Sequence, residues 1–530
     1  MSYSKEWKSG HKLDVFAGME AYKYSNPGFS YNGLPEIDAL KATTFDELKS
    51  FSEWNENPQT RIGYMGRINY DFRHRYLLEL AARYDGSWKF PPHHRWGFFP
   101  SVSGAWRVTQ EPFFQAFEID QWLSDLKIRA SYGVMGDDNI YGYAANDYKP
   151  GFNYGTGMGV IDGSSITTSA VRSLPITNIS WIKAKTFDIG FDIALFNSRL
   201  NFTADYFDRK RTGLPAARYD IVVPNEIGFS WPLENLNSDK IKGFDASLKW
   251  HDRVADFSYS VGGNITLARA YNWEQYKPQF ENSRHYYVYN SHHRLSNQSW
   301  GLTCIGQFQS WEQIAKYPVD IDGKGNSTMR PGDLIYKDMN GDGVITDDDQ
   351  SPIGVLGYED SRTPIINFNI NLSAAWRGFD IAADFTGAAH ITYIQNYEAR
   401  HPFWGDGNTF QSIMGDQWHL ADPTDINSEL IPGRYPTMIA GNTNHINYTF
   451  STFWMQDIWY LKLRNLTVGY TLPSKITKKA AISNLRFYAS FQNLFSIDNV
   501  RTHTDPEIAQ VAGFCYPTTR VYSIGFNLTF

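Results

Sequence analysis

Apolar and polar side chains alternate with a period of two along most of this chain. That pattern suits β-strands with one greasy and one wet face, and it does not suit amphipathic helices. In the last segment, Tyr522, Ile524, Phe526, Leu528 and Phe530 share one face, while Val521, Ser523, Gly525, Asn527 and Thr529 share the other. Phe187, Ile189, Phe191 and Ile193 alternate with Asp188, Gly190 and Asp192; the chain then turns at Asn197-Ser198 and returns through Leu200, Phe202, Ala204 and Tyr206. A second pair, Ile366 to Leu372 and Phe379 to Phe385, is joined at Arg377-Gly378.

Read this way, the chain holds about fourteen strands of roughly 10 to 14 residues, a length suited to tilted membrane strands. They lie near 11–25, 60–71, 75–86, 98–108, 124–136, 182–196, 199–212, 240–251, 255–268, 364–376, 379–388, 453–472, 484–495 and 519–530. Short links at 72–74, 109–123, 197–198, 252–254, 377–378 and 473–483 alternate with long ones at 26–59, 87–97, 137–181, 213–239, 269–363, 389–452 and 496–518. Tight turns at one end and long loops at the other are the habit of outer-membrane barrels. The expected fold is therefore all-β: a transmembrane, antiparallel, up-and-down barrel over residues 1–530, with Tyr522, Ile524, Phe526, Leu528 and Phe530 facing lipid and Ser523, Gly525 and Asn527 facing the lumen.

Composition is compatible with that fold. No run reaches the roughly 18 apolar residues of a membrane helix, and the mean hydropathy of -0.44 is ordinary because alternating strands average out. Aromatic residues reach 16 %, as expected where rings form girdles at both membrane interfaces. The net charge of -7, without basic runs, gives no support for nucleic-acid binding. Two distant cysteines, Cys304 and Cys515, specify neither a metal site nor a disulfide framework.

Several blocks resemble SusC/RagA-type TonB-linked outer-membrane proteins. They are Arg83-Tyr-Asp-Gly-Ser-Trp-Lys-Phe90, the stretch from Arg95 to Arg107, Leu126 to Gly136 and Gly332 to Gly343. Further on come Leu463 to Pro473, Gln492-Asn-Leu-Phe495, Asp505-Pro-Glu507 and Tyr516 to Arg520. The resemblance implies a barrel of about 22 strands with a plugged lumen, located in the outer membrane. It also implies nutrient import (of oligosaccharides or peptides) driven through the TonB complex, with a SusD-like surface lipoprotein over the mouth. Against that plan the pattern shows about eight strands fewer, and no plug domain, TonB-contacting segment or export signal precedes Met1. The expectation is a C-terminal barrel portion that does not import by itself. A smaller closed barrel is the less favoured alternative.

One loop carries recognisable chemistry. Asp338, Asn340 and Asp342 at positions 1, 3 and 5, Gly343 at 6, the Val344 carbonyl at 7 and Asp349 at 12 have the spacing of a calcium loop, with Asp in place of the usual bidentate Glu. A solvated, Asx-turn-rich loop is the competing reading. Catalytic signatures are absent: there is no His-Glu-x-x-His, Gly-x-Ser-x-Gly or Walker A loop, so the chain is not expected to be an enzyme. Gly155-Thr-Gly-Met-Gly159 lacks dinucleotide spacing, and His93-His94 and His292-His293 are more readily solvated loop residues than metal ligands. Trp231, Trp300, Trp311 and Trp404 are loop residues on which a sugar could stack, although anchoring and packing explain most such rings. Two other functions fit parts of the pattern: a secreted calcium-binding β protein that binds or hydrolyses carbohydrate, and a passive porin.

Overall fold

The structure is a computed structural model that describes residues 1–25, 27–35, 45–55, 59–116, 122–144, 146–221, 224, 226, 228–276, 280–296, 298–354, 364–404, 407–438, 445–508 and 518–530. Fifteen strands follow one another in a single antiparallel sheet. They are β1 (Ser2–Glu6), β2 (His11–Tyr24), β3 (Gln59–Phe72), β4 (Tyr76–Ser87), β5 (Trp96–Arg107), β6 (Leu123–Asp137), β7 (Ile182–Leu195) and β8 (Leu200–Ala216). They continue as β9 (Glu234–Val254), β10 (Phe257–Glu274), β11 (Ile366–Trp376), β12 (Phe379–Ile394), β13 (Met455–Thr471), β14 (Asn484–Asp498) and β15 (Val521–Thr529). Each pairs with its neighbours in chain order, and β1 and β15 end the path. This is the meander expected from the alternation. It is not the pair of packed sheets with crossovers that a soluble sandwich requires.

Register explains the two faces. Ile68, Leu80, Val102, Tyr132 and Phe187 lie opposite one another on successive strands, and each is 42–44 % exposed. The next row, one residue along, runs Asp14, Asn69, Glu79, Ser103, Ser131 and Asp188. A one-residue slip would exchange these rows and put the carboxylates in lipid, so burial of the apolar face pins the register.

All fourteen expected strands are present; β1 is additional. Several are longer than expected, notably β9 with 21 residues and β10 with 18. The apolar band stops before these strands do. On the outer face of β8 and β9, Tyr206 and Phe244 are followed by Asp208, Lys210, Lys242 and Lys240, and Lys240 pairs with Asp208 at 2.7 Å and Lys210 with Glu274 at 3.2 Å. Pairing therefore continues beyond the greasy band, where ion pairs and water satisfy the outer face.

At the turn end, Arg377 (φ 47°) and Gly378 (φ 93°) form a two-residue link, whose double positive φ matches the twist of the flanking strands. A Cβ at Gly378 would stand 2.7 Å from the Thr471 carbonyl, so that position combines a left-handed backbone with close approach. Link length is a weaker guide than expected: 88–95, at the loop end, is shorter than 108–122, at the turn end. Among the described residues the loops also hold structure of their own, including antiparallel hairpins at Pro27–Pro35 with Phe45–Asn55 and at Phe152–Ile161 with Ser164–Val171.

Candidate functional site

The inner face of the sheet is charged, and its charges are organised across strands. On β6, Arg129 reaches Asp188 and Asp192 of β7 at 3.8 and 3.2 Å and Asp205 of β8 at 2.5 Å, while Lys127 meets Asp192 at 3.4 Å. Gly190 makes room for this cluster: a Cβ there would lie 2.0 Å from the Asp205 carboxylate. Nearer the loop end, Arg83 pairs with Asp85 at 3.1 Å and Glu20 at 3.4 Å. A cleft of about 960 Å³ opens here, lined by Glu20, Arg61, Glu79, Arg83, Asp85 and Trp181 among others. Such a wall offers water, hydroxyls and charged groups many partners, and among these residues no nucleophile–base couple stands out.

Loops cover one end of this wall, and they are packed rather than loose. Phe90, Phe99, Ile140, Tyr143, Ile179, Trp181 and Ile182 form one apolar cluster between the links 88–95 and 138–181. Buried Ser87 donates to Asp138 at 2.6 Å, Arg61 pairs with Asp138 at 2.7 Å, and the Trp181 indole donates to the Arg95 carbonyl at 2.9 Å. The sequence blocks around Arg83–Phe90 and Arg95–Arg107 thus close the roof onto the strands.

The two longest loops share a second core, which includes Phe308, Ile321, Met329, Leu334 and Tyr336 from one and Ile413, Tyr435, Tyr448 and Trp454 from the other. At its centre Asp333 is fully buried, accepting from Asn447 Nδ2 at 2.7 Å and from the Arg330 N–H at 2.7 Å, with His445 Nε2 at 3.8 Å. Asn447 in turn accepts from the Leu334 N–H at 2.9 Å, so one side chain stitches both loops. Nearby, the Arg400 guanidinium donates to His401 Nε2 at 3.2 Å. That nitrogen must then be unprotonated; burial, reinforced by Arg400, lowers the His401 pKa to about 4.

The last loop is strapped to β13. Lys462, 4 % exposed, holds Asp505 and also Glu507 at 3.0 Å; Arg464 pairs with Glu507, and the Tyr460 hydroxyl donates to Glu507 at 3.0 Å. The Asp505-Pro-Glu507 block is therefore a clasp that compensates a buried lysine.

The expected calcium residues share one turn, and their oxygens are held by hydrogen bonds within it. Asp338 accepts from the Gly341 N–H at 2.6 Å and the Gly343 N–H at 2.9 Å, which hold its carboxyl below the usual range. Asn340 and Asp342 bond to each other at 2.9 Å. Asp349 is fully buried and accepts from the N–H groups of Met339 and Thr346, both at 2.8 Å, so it caps the turn. Val344 forms an isolated bridge with Asp320. Among the described residues, no three or more His, Cys, Asp or Glu side chains are grouped to hold a metal.

The remaining candidates separate. Trp300 packs against Tyr287 and under Arg294, both at 5.2 Å, and the Trp231 indole donates to Glu234 at 3.4 Å. Trp404 leans on His401 at 5.0 Å, and Trp311 is the freest of the four, 60 % exposed. His93 and His94 are exposed, whereas His292 and His293 stack at 4.0 Å, with His293 also on Trp273 at 4.5 Å. Cys304 is free, and Cys515 lies outside the described residues.

The family described as "TonB dependent receptor-like, beta-barrel" matches residues 2–343. TonB-dependent receptor P3 of Formosa agariphila is 24 % identical over 100 % of this chain and 52 % of its own length. TonB-dependent receptor SusC of Bacteroides thetaiotaomicron is 24 % identical over 98 % of this chain and 48 % of its own length. The chain thus spans about half the length of the curated relatives it matches. Among solved structures, the RagAB peptide importer in its open-open state superposes with a TM-score of 0.74 at 20 % identity, over 100 % of this chain and 54 % of that one.

Proposed function

This chain belongs to the TonB-dependent receptor β-barrel family, as an outer-membrane barrel of the SusC/RagA type, and from that premise we propose that it forms the wall and extracellular roof of an energised nutrient importer. The observation that carries this reading is the pairing of a greasy outer face with an ion-paired inner face on one continuous meander. The outer face is solvated by lipid, and the inner face gives a polar cargo hydrogen-bonding partners along its path. A porin needs only the wall; fixed, apolar-cored loops over the mouth fit a receptor that selects its cargo before transport.

In this reading the cargo is an oligosaccharide or peptide, TonB supplies the work, and a SusD-like lipoprotein meets the roof. The relatives' names and the loop architecture support those assignments. Uptake in cells carrying the intact gene tests them: loss of accumulation on removing either TonB or this protein is expected. Uptake indifferent to TonB would sink the energised mechanism and favour the porin.

A calcium ion on the 338–349 turn belongs to the same reading, on the strength of its oxygen spacing. Asp338, Asn340, Asp342 and the Val344 carbonyl would hold it, and Asp349, whose two oxygens each accept one backbone N–H, keeps lone pairs with which to join them. Calcium should then slow proteolysis of this loop in the wild type and not in Asp342→Ala; equal cleavage with and without calcium would remove the ion from the scheme.

A further inference from the structure

Beyond the lipid-facing rings Phe187, Tyr206 and Phe244, the outward rows of β7, β8 and β9 turn basic toward the loop end. They hold Lys183 and Lys185 on β7, Lys210 on β8, and Lys240 and Lys242 on β9, and Asp208 is the one carboxylate among them. Register sets three of these lysines in line: Lys185 lies opposite Lys210, and Lys210 lies opposite Lys240. Directly opposed residues on antiparallel strands stand about 5 Å apart at Cβ, where like charges repel. Two of the five are compensated from within the protein. Lys240 pairs with Asp208 at 2.7 Å and Lys210 with Glu274, from β10, at 3.2 Å, and both ammonium groups lie over the Trp273 ring, at 4.6 and 5.8 Å. Lys183, Lys185 and Lys242 are exposed, and among the described residues none of them has a carboxylate within 4.0 Å.

The patch continues the lipid-facing band without a break, on the same outward rows and at the end of the barrel that carries the long loops. That places it at headgroup height in the outer leaflet, just past the aromatic rings that mark the membrane interface. A cargo molecule meets the loops and the inner wall; this face meets lipid. Each lysine near a charged membrane surface adds to the attraction for an anionic headgroup, and a phosphate accepts from several ammonium groups at once. The strands β7 and β9 are two spacings apart, about 10 Å, so lysines on the two can hold separate phosphates of one headgroup. We propose that Lys183, Lys185 and Lys242, backed by Lys210 and Lys240, form a binding site for the phosphates of an outer-leaflet glycolipid headgroup. The site rests on the barrel's place in the outer membrane and not on which cargo it carries.

Native mass spectrometry tests the site on the full-length protein, purified in mild detergent and stripped of lipid. The probes are diphosphoryl lipid A and the same lipid with its phosphates removed. Tighter binding of the phosphorylated form, by about tenfold or more, is expected from three lysines. Changing Lys183, Lys185 and Lys242 together to Gln should abolish that advantage, while heat-modifiable gel mobility shows that the variant is folded. Glutamine at Lys475, Lys478 and Lys479, exposed at the turn end, should leave the advantage intact. Equal binding of the two lipids, an advantage kept by the first variant, or one lost equally in the second would overturn the proposal. Inorganic pyrophosphate displacing lipid A mole for mole would overturn it as well, by assigning the lysines to soluble phosphate.

Discussion

Single residues decide more here through what they leave unpaired than through what they join. Asp349 satisfies two backbone donors inside the protein, so Asp349→Ala should cost about 2–3 kcal/mol, read as earlier proteolysis of the 338–349 turn. His401 gives a pH prediction. Its folded pKa, about 4, lies below the unfolded value near 6.5. Between those values the unfolded chain binds more protons, so the stability from neutral His401 is full above pH 6.5 and is lost as pH falls toward 4. The melting temperature of the loop core should decline across that window, and His401→Gln should flatten the decline. On the inner wall, Arg129→Gln leaves Asp188 and Asp205 without their cation and Asp192 with Lys127 alone, and should destabilise the barrel by about 1–2 kcal/mol. Adding Asp188→Asn should restore part of the loss, as measured by the heat-modification midpoint.

At the scale of elements, the strands were legible in the sequence and the loops were not. Period-two patterning located β2 to β15 because each strand has one face in lipid, and that face tolerates little but apolar side chains. It put Phe526 outward, where it is 63 % exposed and lies opposite Phe487 of β14. Phe526→Arg should therefore cost about 2–4 kcal/mol near the membrane centre, whereas Asn527→Arg should be mild. Comparable refolding of both variants into lipid vesicles would contradict the assignment. Strand ends beyond the greasy band escaped the pattern: the start of β9, Glu234 to Asp239, carries one apolar side chain, Leu236, and falls in the expected link 213–239. The calcium spacing was legible, but spacing alone does not reveal that Asp349 is already engaged by the backbone.

For the molecule as a whole, the joint core of the two longest loops sets an order of events in time. Asp333 and Asn447 meet across 114 positions of chain, and between them run β11 and β12, a hairpin of the wall. Their contact closes a long loop, a slow step unless the intervening chain is already in place. The roof can thus mature only after that hairpin has entered the sheet, which makes it a late reporter of assembly. In a pulse of trypsin during refolding, protection of the link 275–365 should lag behind the heat-resistant gel band of the barrel. Simultaneous protection would mean that the two loops find each other before the wall exists.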